Sequence, residues 1–101
     1  MDKQPISVTV DRDLEELIPG FLARRHDDVR KLREALDARD VDSVRVTGHS
    51  MKGTGGGYGF DGLSEIGASI ESAAKGGDLD AARGGLERLV DYLERVEIHF
   101  E

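Results

Sequence analysis

Residues 45–60 read RVTGHSMKGTGGGYGF, placing a histidine at 49, a lysine at 52 and an arginine at 45 among six glycines. An imidazole has an ordinary pKa of about 6.5 and is therefore largely neutral, and nucleophilic, near pH 7. Metal ligation by His49 from a helix would need His, Asp or Glu three or four residues away. Positions 45, 46, 52 and 53 hold Arg, Val, Lys and Gly instead, so no metal is expected here. Ser50 is adjacent in sequence, but neighbours on a helix diverge by about 100°, which disfavours a Ser–His pair. Direct attack on phosphorus remains. It needs one open histidine and nearby cations, and Lys52 and Arg45 are placed to offset charge on a phosphoryl group's equatorial oxygens. Two phosphate-loop patterns fail: Gly57–Gly62 fits G-x-G-x-x-G without a preceding strand, and Gly48–Thr54 lacks the P-loop lysine after Gly53.

The elements that must hold these residues are helical. Pro5 and Pro19 are the only prolines. Asp11 can cap a short helix over about 11–17, and Pro19 suits the first turn of the next, about 19–38. That helix carries Ile18, Leu22, Val29, Leu32 and Leu36, with a gap at Arg25 and His26. Asp40 or Asp42 can cap a helix over about 41–57, where Val41, Val44, Gly48, Met51, Gly55 and Tyr58 recur at steps of three and four. A third, about 61–76 and capped by Asp61, repeats Leu63, Ile66, Ile70 and Ala73. The fourth, about 78–99, has Leu79, Ala82, Leu86, Leu89, Leu93 and Val96 on one face. Four amphipathic helices with short connections predict an all-α, up-down-up-down antiparallel four-helix bundle with a short extra N-terminal helix. No strand pattern competes, and residues 1–101 are read as a single domain.

On the second helix, His49 lies on the flank, with Arg45, Val46, Lys52, Gly53 and Gly56 as its helical neighbours. Each glycine inside a helix costs roughly 0.5–1 kcal/mol relative to alanine. Gly48 and Gly55 face the core and allow close helix approach, whereas Gly53 and Gly56 clear space beside the imidazole. Val46 is the apolar residue on this stripe best suited to a partner contact. His26 is expected to be partly buried between Leu22 and Val29, and His99 solvated. Tyr58 and Phe60 are expected in core and turn packing, with Phe60 bordering a docking surface.

Composition excludes several classes. The 101 residues carry a formal charge of -7, with 21 acids against 14 bases and 5% aromatics, which argues against nucleic acid. There is no cysteine for disulfides or thiolate sites. No run nears the roughly 20 apolar residues of a membrane span, and MDKQPISVTV lacks the features of a signal peptide, so the cytoplasm is expected. Nothing demands an oligomer: the heptad of the fourth helix is explained by the bundle core, so a monomer is expected.

The segment His49-Ser50-Met51-Lys52-Gly53, then Thr54 to Gly57 and Tyr58-Gly59-Phe60, resembles the signature of histidine-containing phosphotransfer (HPt) domains. The likeness continues through Leu63, Ile66, Ile70-Glu71 and Gly77-Asp78, over roughly positions 44 to 80. It implies a phosphocarrier of a phosphorelay rather than an enzyme with its own turnover. His49 would be phosphorylated through Nε2, Lys52 would assist, Gly53 and Gly56 would leave room for the partner, and Gly59 would sit at the turn into the third helix. The partner would be a response-regulator receiver domain or hybrid histidine kinase. Transfer would need no cofactor of this chain's own, with Mg²⁺ bound by the receiver. The phosphoacceptor domains of chemotaxis histidine kinases are similar through His-Ser-x-Lys-Gly; the chain's end soon after its fourth helix suggests a standalone or excised domain instead. The other reading is a non-covalent helical-bundle adaptor.

Overall fold

A computed structural model describes residues 4–101, so the first three residues of the expected 1–101 domain lie outside it. Four α-helices carry most of the chain: α1 Ile18–Asp37, α2 Val41–Gly57, α3 Asp61–Lys75 and α4 Leu79–Arg95. Side-chain caps start two of them. Asp40 accepts from the Ser43 N–H at 3.1 Å, and Asp78 from that of Ala81 at 3.0 Å. The Asp40 carboxyl is held below the ordinary range by its bonds from the Ser43 hydroxyl and N–H. Helix α3 differs from expectation: Phe60 is its N-cap without a side-chain bond, and Asp61 is its first helical residue. An acid in the first turn still suits the helix dipole.

Helix α1 packs on α2 and α4, and α3 on α2 and α4, around a core that includes Leu32, Val44, Met51, Leu63, Ile70 and Leu89. Three residues in the left-handed region make the turns between helices: Arg39 (φ 57°), Gly59 (φ 87°) and Gly77 (φ 72°). Glycine takes this conformation without a Cβ penalty, and arginine does not. Arg39→Gly should therefore stabilise the fold by about 0.5–1 kcal/mol, read as a rise of several degrees in thermal midpoint. An unchanged or lowered midpoint would contradict the strain assigned to that turn.

The gap in the apolar stripe of α1 is filled by Arg25 itself, which is buried in line with Ile18, Phe21, Val29, Leu32 and Leu36. Phe21 takes the inner place expected of Leu22, which is half-buried. His26, expected to be partly buried, is exposed, because the stripe passes through position 25. Val41, expected on the core face, is also largely exposed, since it is the first residue of α2.

The chain is not purely helical. Strands β1, Ile6–Val10, and β2, Val96–Phe100, form a two-stranded parallel sheet in register Ile6↔Val96, Val8↔Ile98 and Val10↔Phe100. Helix α4 therefore stops at Arg95 rather than near 99, and Val96 turns extended at φ -64°, ψ 131°. Apolar residues at 93, 96 and 100 also satisfy a helical period, which hid the alternation V-E-I-H-F. What decides the matter is pairing with I-S-V-T-V, some 90 residues away, whose Val8 and Val10 are buried. The segment expected as a short helix over 11–17 is a 3-10 helix, Arg12–Leu17, with Asp11 accepting from the Asp13 N–H at 2.8 Å. Among the described residues, no helix is long and apolar enough to cross a membrane.

Candidate functional site

The buried stripe of α2 runs through Val44, Gly48, Met51 and Gly55 against α3, leaving His49 on the adjoining flank. Backbones approach closely here. A Cβ on Gly48 would stand 2.7 Å from the Glu71 N and 2.9 Å from the Gly67 O. One on Gly67 would meet the Lys52 N at 2.5 Å, and one on Gly55 the Ser64 N at 2.8 Å. Ser64 also donates from its hydroxyl to the Lys52 carbonyl at 2.7 Å, tying α3 to the turn that follows His49.

This close approach brings Glu71 of α3 beneath the imidazole. His49 Nδ1 lies 2.7 Å from Glu71 Oε2; the His49 side chain is 69% exposed and that of Glu71 only 8%. A carboxylate accepts and does not donate, so the neutral ring carries its proton on Nδ1 and turns the Nε2 lone pair away from Glu71. Lys52 Nζ is 3.7 Å from Glu71 Oε1, and Lys75 Nζ is 3.8 Å from Oε2. Burial pushes the Glu71 carboxyl up, but the His49 hydrogen bond and the charges of Lys75 and Lys52 outweigh it and hold the group below its usual range. The carboxylate is thus kept ionised under a histidine and two lysines.

The remaining site residues separate into those beside His49 and those elsewhere. Arg45 is turned to Asp42, its Nη2 lying 2.8 Å from Oδ1, so it is engaged one turn upstream of His49. A Cβ on Gly53 would meet no atom within 4 Å beyond its chain neighbours and the adjoining backbone of α2, so its side of the helix is open. Gly56 is exposed, and a Cβ on it would make one ordinary contact, to the Ser64 hydroxyl at 3.7 Å. Val46 is 49% exposed. Phe60, expected to border a docking surface, is fully buried: its ring stacks on Phe21 at 4.9 Å, closing the core beneath the turn that Gly59 makes. Tyr58 is half-buried and meets the same Phe21 ring at 4.6 Å.

The sequence alone does not single out Gly67, Ser64 or Lys75, and it shows Glu71 only as part of the Ile70-Glu71 pair. They act on α2 from α3, and no window along one helix displays that relation. A polar residue beside the apolar Ile70 on an otherwise regular face was the available signal. Arg25 is a second missed tie. Its Nη1 donates to Thr54 Oγ1 at 2.8 Å, its Nε lies 2.9 Å from Asp28 Oδ2, and its guanidinium stacks over Phe21 at 4.8 Å. It thereby fixes α1 to the glycine-rich end of α2. Burial pushes the Asp28 carboxyl up, against the pull of Arg25.

Comparison with protein families matches residues 16–99 to the Hpt domain. The matched segment spans all four helices and the His49–Glu71 contact. Searches of curated proteins and of solved structures find no match.

Proposed function

The chain belongs to the Hpt domain family, phosphocarrier modules of histidine phosphorelays, and from that premise we propose that His49 carries the phosphoryl group. The observation that bears this reading is the 2.7 Å contact between His49 Nδ1 and the buried Glu71 carboxylate. It leaves Nε2 as the outward nucleophile of an exposed ring. In the proposed step, the Nε2 lone pair attacks the phosphorus of an aspartyl phosphate on a receiver domain. The N–P bond forms as the P–O bond to aspartate breaks, and the aspartate leaves as a carboxylate. The proton stays on Nδ1, and Glu71 offsets the positive charge that develops on the ring. Lys52, on the same flank of α2 as His49, is the cation that would offset charge on the phosphoryl oxygens, with Lys75 also beside Glu71, while Arg45 would first have to leave Asp42. Mg²⁺ and the groups that bind it belong to the receiver. Reversal of the same step donates the group onward.

Gly53 gives the partner access, and exposed Val46 offers it an apolar contact beside a groove of about 600 Å³ between α1 and α2. Three-residue connections at 38–40, 58–60 and 76–78 support an up-down-up-down order, because such short links join antiparallel neighbours. A cytoplasmic setting goes with this reading, as do hybrid kinases as further partners.

The test is transfer of label from a phosphorylated receiver domain to this chain. The product should be a phosphoramidate, retained at alkaline pH and lost in acid; absence of label, or an acid-stable adduct, would sink the proposal. Access has its own test. Gly53→Leu should hold or raise the thermal midpoint, since leucine is the better helix former, while transfer falls by roughly 100-fold or more. An unchanged transfer rate would remove the steric role given to Gly53.

A further inference from the structure

Among the described residues the sheet has two strands, so each has one edge without a strand partner, and the two strands are buried unequally. Val8 and Val10 of β1 are 9% and 1% exposed, whereas Val96, Ile98 and Phe100 of β2 are only partly covered. A two-stranded ribbon is marginal by itself, and an exposed edge strand is usually blunted by lysine or proline. The segment VEIHF has neither, and its one acid, Glu97, is the residue that the pairing below sets against His99.

This segment is also self-complementary about Ile98. Antiparallel two-fold pairing centred there sets Val96 against Phe100, and Glu97 against His99, of a second copy. The backbone parity agrees. The Glu101 N–H donates to the Val10 carbonyl at 3.1 Å, and the Glu101 carbonyl accepts from the Arg12 N–H at 2.8 Å, so its peptide groups face β1. Alternation along the strand turns those of His99 and Glu97 the same way, and those of Val96, Ile98 and Phe100 toward the open edge. The Val96 N–H is taken by the Tyr92 carbonyl, and the Phe100 carbonyl accepts from the Arg12 guanidinium at 3.4 Å. Ile98 then has both groups directed outward at the centre of symmetry. Two copies would exchange both bonds of an Ile98–Ile98 pair. Glu97 and His99 would fall at the flanking non-hydrogen-bonded positions, where opposed side chains stand closest, roughly 4.5–5.5 Å between Cβ atoms. Glu97 and His99 already share the solvent face, with Nε2 3.5 Å from Oε1.

We propose that β2 is a homodimerisation edge, on which a second copy of this chain adds its own β2 antiparallel to give a four-stranded sheet β1-β2-β2-β1. The interface is isologous, so the two cross-strand Glu–His pairs form together, and Val96 and Phe100 of each copy cover the other's. The strand was not foreseen from the sequence, where the heptad alone gave no reason for an oligomer. None of the residues around His49 takes part.

Sedimentation equilibrium of the full chain should show mass doubling as concentration rises toward about 1 mM. Ile98→Pro removes the outward N–H but no bond to β1, and should give a monomer with unchanged helical circular dichroism. A second pair of variants guards against disruption of the ribbon itself. In this cysteine-free chain, Glu97→Cys with His99→Cys should cross-link to a covalent dimer on mild oxidation, while either cysteine alone should not. The proposal is overturned by a monomer throughout, by a dimer that survives Ile98→Pro, or by a double-cysteine variant that links no faster than the single ones.

Discussion

His49→Gln is expected to leave the helical spectrum and thermal midpoint nearly unchanged while phosphoryl acceptance falls by at least about three orders of magnitude. The side chain is 69% exposed and its structural tie is the bond to Glu71, so little packing is lost. Glu71 keeps Lys52 and Lys75 as neighbours. The nearby groups are poor substitutes: an amide is far less nucleophilic than a neutral imidazole, the Ser50 hydroxyl stands about 100° around the helix, and the Thr54 hydroxyl is held by Arg25 and the Ser50 carbonyl. Label transfer from a phosphorylated receiver, followed at alkaline pH beside circular dichroism, checks both halves. Residual transfer above about 1% of the unaltered rate would place the acceptor elsewhere.

Gly67→Ala should have the largest effect on stability. Its new Cβ would stand 2.5 Å from the Lys52 N and 2.7 Å from the Gly48 O, both backbone atoms of α2. Neither can give way unless the two helices separate. Overpacking of this kind costs about 2–3 kcal/mol even after the gain in helix propensity, out of roughly 5–15 kcal/mol for a domain. The thermal midpoint should drop by roughly 10 °C or more. Separation would also carry Glu71 away from His49, so transfer should slow in the molecules that remain folded. Gly57→Ala is the control, because nothing lies within 4 Å of its Cβ; it should be neutral or slightly stabilising. If both variants melted alike, the close α2–α3 approach would not be the reason for glycine at 67.

The difference between these two glycines marks the limit of local reading. Gly48 and Gly55 fall on the apolar period of α2, so their role in close packing followed from position alone. Gly67 is the matching small residue on α3, and it matters only because α3 lies against Gly48 and Lys52. Glu71 is similar: one turn of α3 presents it as an ordinary flanking acid, and its bond to His49 arises from packing between residues 22 positions apart. Arg25 was visible only as an interruption in an apolar stripe. Its burial depends on the Thr54 hydroxyl accepting from Nη1 and on the Asp28 carboxylate offsetting its charge beside the Phe21 ring.

The four helices, the flank on which His49 and Lys52 stand, and the open space at Gly53 were legible in the order of residues alone. Those features follow from the helical period and from side-chain size, which act within a few residues. Tertiary structure alone decided which nitrogen of His49 faces outward, that Phe60 is sealed in the core, and that the chain's two ends join as parallel strands. Each of these is set by a partner distant in sequence: Glu71 for His49, Phe21 for Phe60, and Ile6–Val10 for Val96–Phe100. A carboxylate, an aromatic ring or an unpaired strand acts on whatever the fold brings against it, and the residues along one helix do not specify that neighbour.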